Sequence, residues 1–70
     1  MRILITGAFN YSEKQLQDLK NFGAEIVFMQ QEKDVLPTPA SSIDAVVCNG
    51  LFLYHQLREF SSLKYIQLTS

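Results

Sequence analysis

The stretch that decides the fold is ILITGAFNYSEKQLQDLKNFGAEIVFMQ, residues 3–30. It begins with a continuous apolar run at 3–5, closed by Thr6 and Gly7, which is typical of a strand covered on both faces. It ends with AEIVFMQ (24–30), whose β-branched and apolar residues predict a second buried strand. A helix between two such strands would make them a parallel pair joined by a right-handed crossover.

The residues between the two strands predict that helix over about 13–22. Ser12 is a favourable N-cap, and Gln15 three residues later completes a capping box. Gly23 stands where a left-handed C-cap is expected. The apolar stripe that we expect to face the sheet consists of Leu16, Leu19 and Phe22.

The second half of the chain repeats the alternation of strand and helix. Pro37 and Pro39 forbid a long helix in the preceding connection, where EKDVL (32–36) can form at most one or two turns. The later elements are a third strand in IDAVVCNG (43–50), a second amphipathic helix in LFLYHQLREF (51–60) and a fourth strand in KYIQLTS (64–70). In that helix we expect a buried side formed by Leu53, Leu57 and Phe60.

The order of elements predicts an α/β fold with a flavodoxin-like parallel sheet of four strands, in the order 2-1-3-4, with flanking helices. A doubly wound domain would next place another helix, whereas here the chain stops on an apolar strand. We therefore expect residues 1–70 to be a single partial domain, truncated after the fourth strand. Because a bare apolar edge invites pairing, the fragment is also expected to self-associate.

Composition narrows the classes of protein. The 70 residues are 47% hydrophobic and 19% charged with a formal net charge of −1, which is typical of a globular domain and gives nucleic-acid binding no electrostatic support. The apolar runs are too short for a membrane span or a signal peptide, so we expect a cytoplasmic protein without membrane partners. Cys48 and His55 are the single residues of their types, and with the scattered carboxylates they make no recognisable metal-ligand spacing.

A ligand of such a sheet would bind at the carboxyl ends of the strands, at the switch point between the first and third strands. The backbone amides of Asn49, Gly50 and Leu51 follow the third strand and suit an anion, particularly a carboxylate. Purely structural roles for these loops stay open, because Asn49 would also serve as the cap of the next helix and Gly7 as a simple turn. Cys48 is expected to be a small buried hydrophobe, and His55 to lie on the rim.

A dinucleotide site within this chain is not supported. The fingerprint G-x-G-x-x-G would need glycines where Phe9 and Ser12 stand, and Met29 and Gln30 occupy the place of the acidic residue that binds ribose. A P-loop is excluded as well, because no G-K-[ST] occurs. We expect no cofactor and no metal in this chain.

The segment IDAVVCNGLFLYHQLREFSSLKYIQLTS (43–70) resembles the D-isomer-specific 2-hydroxyacid dehydrogenases, the family that includes phosphoglycerate dehydrogenase. DAVV (44–47) is similar to the third strand of the family's flavodoxin-like substrate domain. LKYIQLTS (63–70) is similar to the next strand and the first residue of a Ser-Ala-Gly-x-Asp loop. RILITGAF and LKNFGAEIVF fit the earlier part of the same domain, so the resemblance spans nearly the whole chain.

The resemblance implies that the parent protein transfers a hydride between NAD or NADP and a 2-hydroxy or 2-oxo acid, as a homodimer. It places a small carboxylate substrate against Asn49 and Gly50, with Leu51 beside them and with Thr69 and Ser70 on the loop that borders the cleft. The family's catalytic residues have no counterpart here, so this chain alone is not expected to be active. The alternative is a free-standing small α/β module that binds an anionic ligand or a protein partner.

Overall fold

The computed structural model describes residues 1–7 and 13–68. The predicted cap Ser12, the loop residue Phe9, and Thr69 and Ser70 of the predicted site lie outside these ranges. The strands are β1 (Arg2–Thr6), β2 (Glu25–Met29), β3 (Ala45–Cys48) and β4 (Tyr65–Leu68), and the helix is α1 (Glu13–Asn21). Three short 3₁₀ turns occupy Ala40–Ser42, Leu51–Leu53 and Leu57–Glu59.

The four strands form one sheet in the order β2-β1-β3-β4, and every neighbouring pair is parallel. This arrangement confirms the predicted α/β, flavodoxin-like order. In the register, Ile3 pairs with Ile26 of β2 on one side and with Ala45 of β3 on the other. The order of strands reverses between β1 and β3, so the carboxyl ends of these two strands flank the switch point.

One face of the sheet packs against α1. Ile3, Ile5, Ala45 and Val47 form a buried cluster here, with Leu16, Leu19, Ala24 and Ile26 packed against it. The helix ends as predicted, because Gly23 adopts φ 87° and the amide of Ala24 bonds the carbonyl of Leu19. The predicted stripe is wrong at Phe22, whose side chain is 91% exposed, since the helix ends at Asn21 and the backbone turns away there.

The other face is covered by connecting segments. Its buried cluster contains Leu4, Met29, Ile43, Val46, Cys48, Leu51 and Phe60. The predicted helix over 51–60 is wrong, because two 3₁₀ turns flank an extended Gln56 (φ −81°, ψ 125°). Leu53 and Leu57 are consequently 82% and 54% exposed, whereas Phe60 is buried and meets Phe52 edge to face at a centroid distance of 5.3 Å.

The connection between β2 and β3 contains no α-helix. EKDVL (32–36) forms only a turn and a bend, and a 3₁₀ turn at Ala40–Ser42 comes after the prolines. The Arg2 guanidinium ties this connection to the amino ends of the strands, since it donates to Thr38 Oγ1 at 3.0 Å and to Ser42 Oγ at 2.8 Å. These hydrogen bonds therefore hold the β2–β3 connection against the amino end of β1.

The strand at the open edge of the sheet is poorly covered. All four residues of β4 are exposed. On the α1 face, an open apolar groove of about 340 Å³ runs beside this strand. Its lining consists of Met1, Ile3, Leu19, Ala45, Val47, Tyr65 and Gln67.

Candidate functional site

The carboxyl ends of β1 and β2 approach each other closely at Gly7. The Gly7 amide donates to the Met29 carbonyl at 2.6 Å. A Cβ on Gly7 would overlap the Gln30 carbonyl oxygen and lie 3.0 Å from its carbonyl carbon. Only glycine fits this contact between backbones. The contact alone explains why residue 7 is a glycine, and no bound phosphate is needed to explain it.

Glu32 lies at the centre of the carboxyl edge. Its Oε2 accepts hydrogen bonds from the Thr6 hydroxyl at 2.9 Å and from the Asn49 amide at 3.0 Å. Its Oε1 accepts the Gly50 amide at 2.9 Å. One carboxylate thus connects the end of β1, the loop after β2 and the loop after β3. The Asn49 and Gly50 amides, which the sequence predicts to bind the carboxylate of a ligand, donate here to a carboxylate of the chain itself.

The pKa of Glu32 follows from opposing effects. Burial raises this pKa, but the amides of Gly50 and Asn49, the Thr6 hydroxyl and the Leu51 amide lower it by more in combination. The pKa therefore lies below the ordinary glutamate value, and the carboxylate is ionised at neutral pH. The donors at this edge accordingly favour a negative charge.

His55 holds the main chain of the same residue. Its Nε2 lies 2.8 Å from the Glu32 carbonyl oxygen. Because a carbonyl oxygen only accepts, Nε2 carries the proton in this contact. His55 is half-buried on the rim, as expected, and its partner is a backbone atom of the connecting segment.

Cys48 is fully buried at the end of β3, in agreement with its interpretation as a small hydrophobe. Burial raises the pKa of the Cys48 thiol; the Leu51 amide opposes this shift and the Glu32 charge adds to it. A neutral thiol with no access to solvent is a poor nucleophile. Cys48 is therefore part of the core and not of the chemistry.

Of the predicted site residues, the structure describes Asn49, Gly50 and Leu51, and these contribute backbone amides and not side chains. Asn49 is exposed, Gly50 is half-buried, and the side chain of Leu51 is fully buried in the core. Within the described part of the chain no α-helix follows Asn49, and Gly50 occupies the cap position of the 3₁₀ turn that does, so the alternative role of Asn49 as a helix cap is wrong. Sequence reasoning missed Glu32 and Thr6; the only signal for them was their position directly after β2 and at the end of β1.

Glu32 also lies in the wall of an open crevice of about 420 Å³. It is lined by Gly7, Gln30, Gln31, Glu32, Lys33 and Tyr54. Among the described residues, no group of three His, Cys, Asp or Glu side chains is placed to hold a metal ion. In the same part of the chain, no helix is long and apolar enough to cross a membrane.

Comparison with known proteins adds no relative. No protein-family model, no curated protein and no solved structure matches the chain at a significant level.

Proposed function

We propose that this chain is the substrate-binding part of an NAD(P)-dependent oxidoreductase that acts on a 2-hydroxy or 2-oxo acid. The observation that carries the proposal is the convergence of the Asn49 and Gly50 amides and the Thr6 hydroxyl on one carboxylate. A substrate carboxylate has the same two oxygens and the same charge as that of Glu32. The donor set is therefore of the right kind for the acid group of such a substrate.

The position of these donors supports the same proposal. They lie at the switch point between β1 and β3, where parallel sheets bind their ligands. The crevice of about 420 Å³ that Glu32 lines opens to solvent, and in this proposal it receives the remaining atoms of a small acid. The resemblance also assigns Thr69 and Ser70 to the substrate site, and both lie outside the described residues.

The cofactor does not fit the described residues. A dinucleotide requires a turn after β1 whose backbone is open to phosphate, whereas Gly7 is packed against the Gln30 backbone. In the proposal, NAD or NADP and the groups that move the proton belong to other parts of the parent protein. The 70-residue chain contributes the recognition of the carboxylate and is expected to show no hydride transfer by itself.

The test is a titration of the ¹⁵N-labelled chain with pyruvate, glyoxylate and 2-oxoglutarate, followed by the amide signals of Asn49 and Gly50. We expect saturable shifts at these two amides and none with methyl pyruvate, which lacks the charge. Thr6→Val removes one donor while keeping the shape of the side chain, so it should weaken binding several-fold in the Glu32→Ala background, where no internal carboxylate uses that donor. Absence of saturable shifts with all three acids would remove the support for the proposal.

The second candidate function, a free-standing module for anionic ligands, rests on the same donor set. Acetate and inorganic phosphate distinguish the two, because neither carries the 2-oxo group. Affinities equal to that for pyruvate favour the general anion module. A clear preference for 2-oxo acids favours the substrate domain.

A further inference from the structure

Every donor of the proposed site is already engaged. The Thr6 hydroxyl and the Asn49 amide both donate to Glu32 Oε2, and the Gly50 amide donates to Oε1. A second carboxylate in the same place would find no free donor among these three groups. It would also meet a negative charge at contact distance. Glu32 and a ligand carboxylate therefore exclude each other.

The segment that carries Glu32 is built to move more easily than the sheet. Residues 30–36 contain neither helix nor strand, and the side chains of Gln31, Lys33 and Val35 are exposed. Apart from the Glu32 carboxylate, the contacts that hold the segment include the His55 bond to the Glu32 carbonyl and the packing of Leu36. A segment with little buried surface opens at a lower free energy than the core strands do.

A space open to solvent beside Glu32 can accept its side chain when the carboxylate leaves the donors. Glu32 forms part of the wall of the open crevice of about 420 Å³, beside Lys33. A carboxylate that leaves the donors there enters water and regains its hydration, so its displacement leaves no buried charge unpaired. The donors in turn gain the carboxylate of the ligand.

We propose that Glu32 is a displaceable internal ligand: it occupies the carboxylate site when the site is empty, and the ligand must replace it. This inference rests on the proposed function, because it concerns the same donor set. The apparent dissociation constant then equals the intrinsic constant divided by the fraction of molecules in which Glu32 has left the site. Binding of an acid and release of residues 30–36 become one event.

The first experiment measures the dissociation constants of pyruvate and acetate for the wild-type chain, Glu32→Ala and Glu32→Gln, by the Asn49 and Gly50 amide shifts. If Glu32 occupies the site in nine molecules out of ten, Glu32→Ala should bind both acids about tenfold more tightly. Glu32→Gln keeps the shape of the side chain but loses the charge, so its gain should be smaller and in the same direction. Asp18→Asn makes the same change of charge on α1, across the sheet, and should leave both affinities unchanged.

The outcomes separate this inference from the proposed function. Equal affinity of wild type and both Glu32 variants overturns the internal ligand while leaving the substrate site in place. Tighter binding by the variants without preference for pyruvate over acetate supports the internal ligand and counts against the 2-oxo acid. Failure of all variants to bind either acid overturns both.

The second experiment asks whether residues 30–36 are released. Amide hydrogen exchange in this segment should accelerate when pyruvate saturates the wild-type chain, and Glu32→Gln should show the faster exchange without ligand. Exchange that slows throughout the segment on binding would mean that Glu32 stays in place, and would overturn the inference.

Discussion

Glu32 illustrates how one side chain sets the pH dependence of this fold. Because its pKa is lower in the folded chain than in the unfolded chain, its contribution to stability is present above the unfolded pKa of about 4.3. That contribution is lost as the pH falls through the folded pKa. Urea unfolding at neutral pH should show Glu32→Gln to be less stable than wild type by about 1–3 kcal/mol, the range for hydrogen bonds to a charged group.

The stabilities of the wild type and of Glu32→Gln should become equal in acid. The difference in free energy of unfolding should shrink as the pH falls below the unfolded pKa of about 4.3, because wild-type Glu32 becomes neutral as well. Asp18→Asn, on the exposed side of α1, serves as the control and should track the wild type throughout. A difference that stays constant down to pH values where all carboxyl groups are protonated would show that the Glu32 charge is not what stabilises the fold.

Gly7 and Gly50 give a second prediction at the level of single residues. Gly7→Ala drives a Cβ into the Gln30 backbone and should cost about 2 kcal/mol or more, since no side-chain rotation relieves a contact with backbone atoms and overpacking costs about 1–3 kcal/mol. Gly50→Ala is the matched control: its φ is −130°, and its Cβ would meet the flexible Leu53 side chain at 3.2 Å. The control should change stability by less than about 1 kcal/mol. Equal effects in thermal melts would contradict the structure.

Among the elements, the segment 51–60 allows a test of whether the chain forms the observed 3₁₀ turns or the helix predicted from the sequence. The structure buries Phe60 and leaves Leu53 82% exposed, whereas an amphipathic helix would bury both. Phe60→Ala should therefore cost about 3–5 kcal/mol, and Leu53→Ala less than about 0.5 kcal/mol. Urea unfolding measures both, and the milder Phe60→Leu provides a value if Phe60→Ala does not fold. A large loss on Leu53→Ala would favour the helix.

The elements that could be predicted are those with local signals. The residues of α1 carry a helical period, and Gly23 stops it, so its range was predicted to within one residue. β1 and β3 could be predicted because they are buried on both faces and residues 3–5 and 45–48 are apolar. The prediction that β2 is a buried strand is wrong, since β2 lies at an edge of the sheet and only its Met29 is buried. The spacing in 51–60 is equally periodic, but the contacts of Leu51 and Phe60 with the sheet override it, and such contacts have no local signature.

The candidate site divides in the same way. The amides of Asn49 and Gly50 could be predicted as carboxylate donors, because the order of strands places their loop at the switch point. Glu32 could not, since it lies 17 residues before Asn49, in a segment (residues 30–36) that contains neither helix nor strand. Only the fold brings the two loops together. The pattern of strands thus predicts which loops lie at the switch point, but not that the Glu32 carboxylate bonds the amides there.

At the scale of the whole molecule, the two faces of the sheet differ in how completely other elements cover them. The connecting segments fill one face from β1 to β3, whereas on the other face α1 leaves the groove of about 340 Å³ beside β4 open. All of β4 is exposed, and its outer edge carries no paired strand among the described residues. A strand of this kind is a template for pairing with another chain.

The last prediction concerns that edge. We expect the chain to self-associate, so its melting temperature should rise with protein concentration, because association stabilises the folded state by mass action. Ile66→Lys places a charge on the open strand and should lower the association seen in sedimentation equilibrium. Val35→Lys is the matched control, since Val35 is 91% exposed in the β2–β3 connection, and it should leave association unchanged. A monomeric wild-type protein whose melting temperature is independent of concentration would contradict this prediction. It would show that the four exposed residues of β4 do not suffice for pairing and that the solvated edge is stable without a partner.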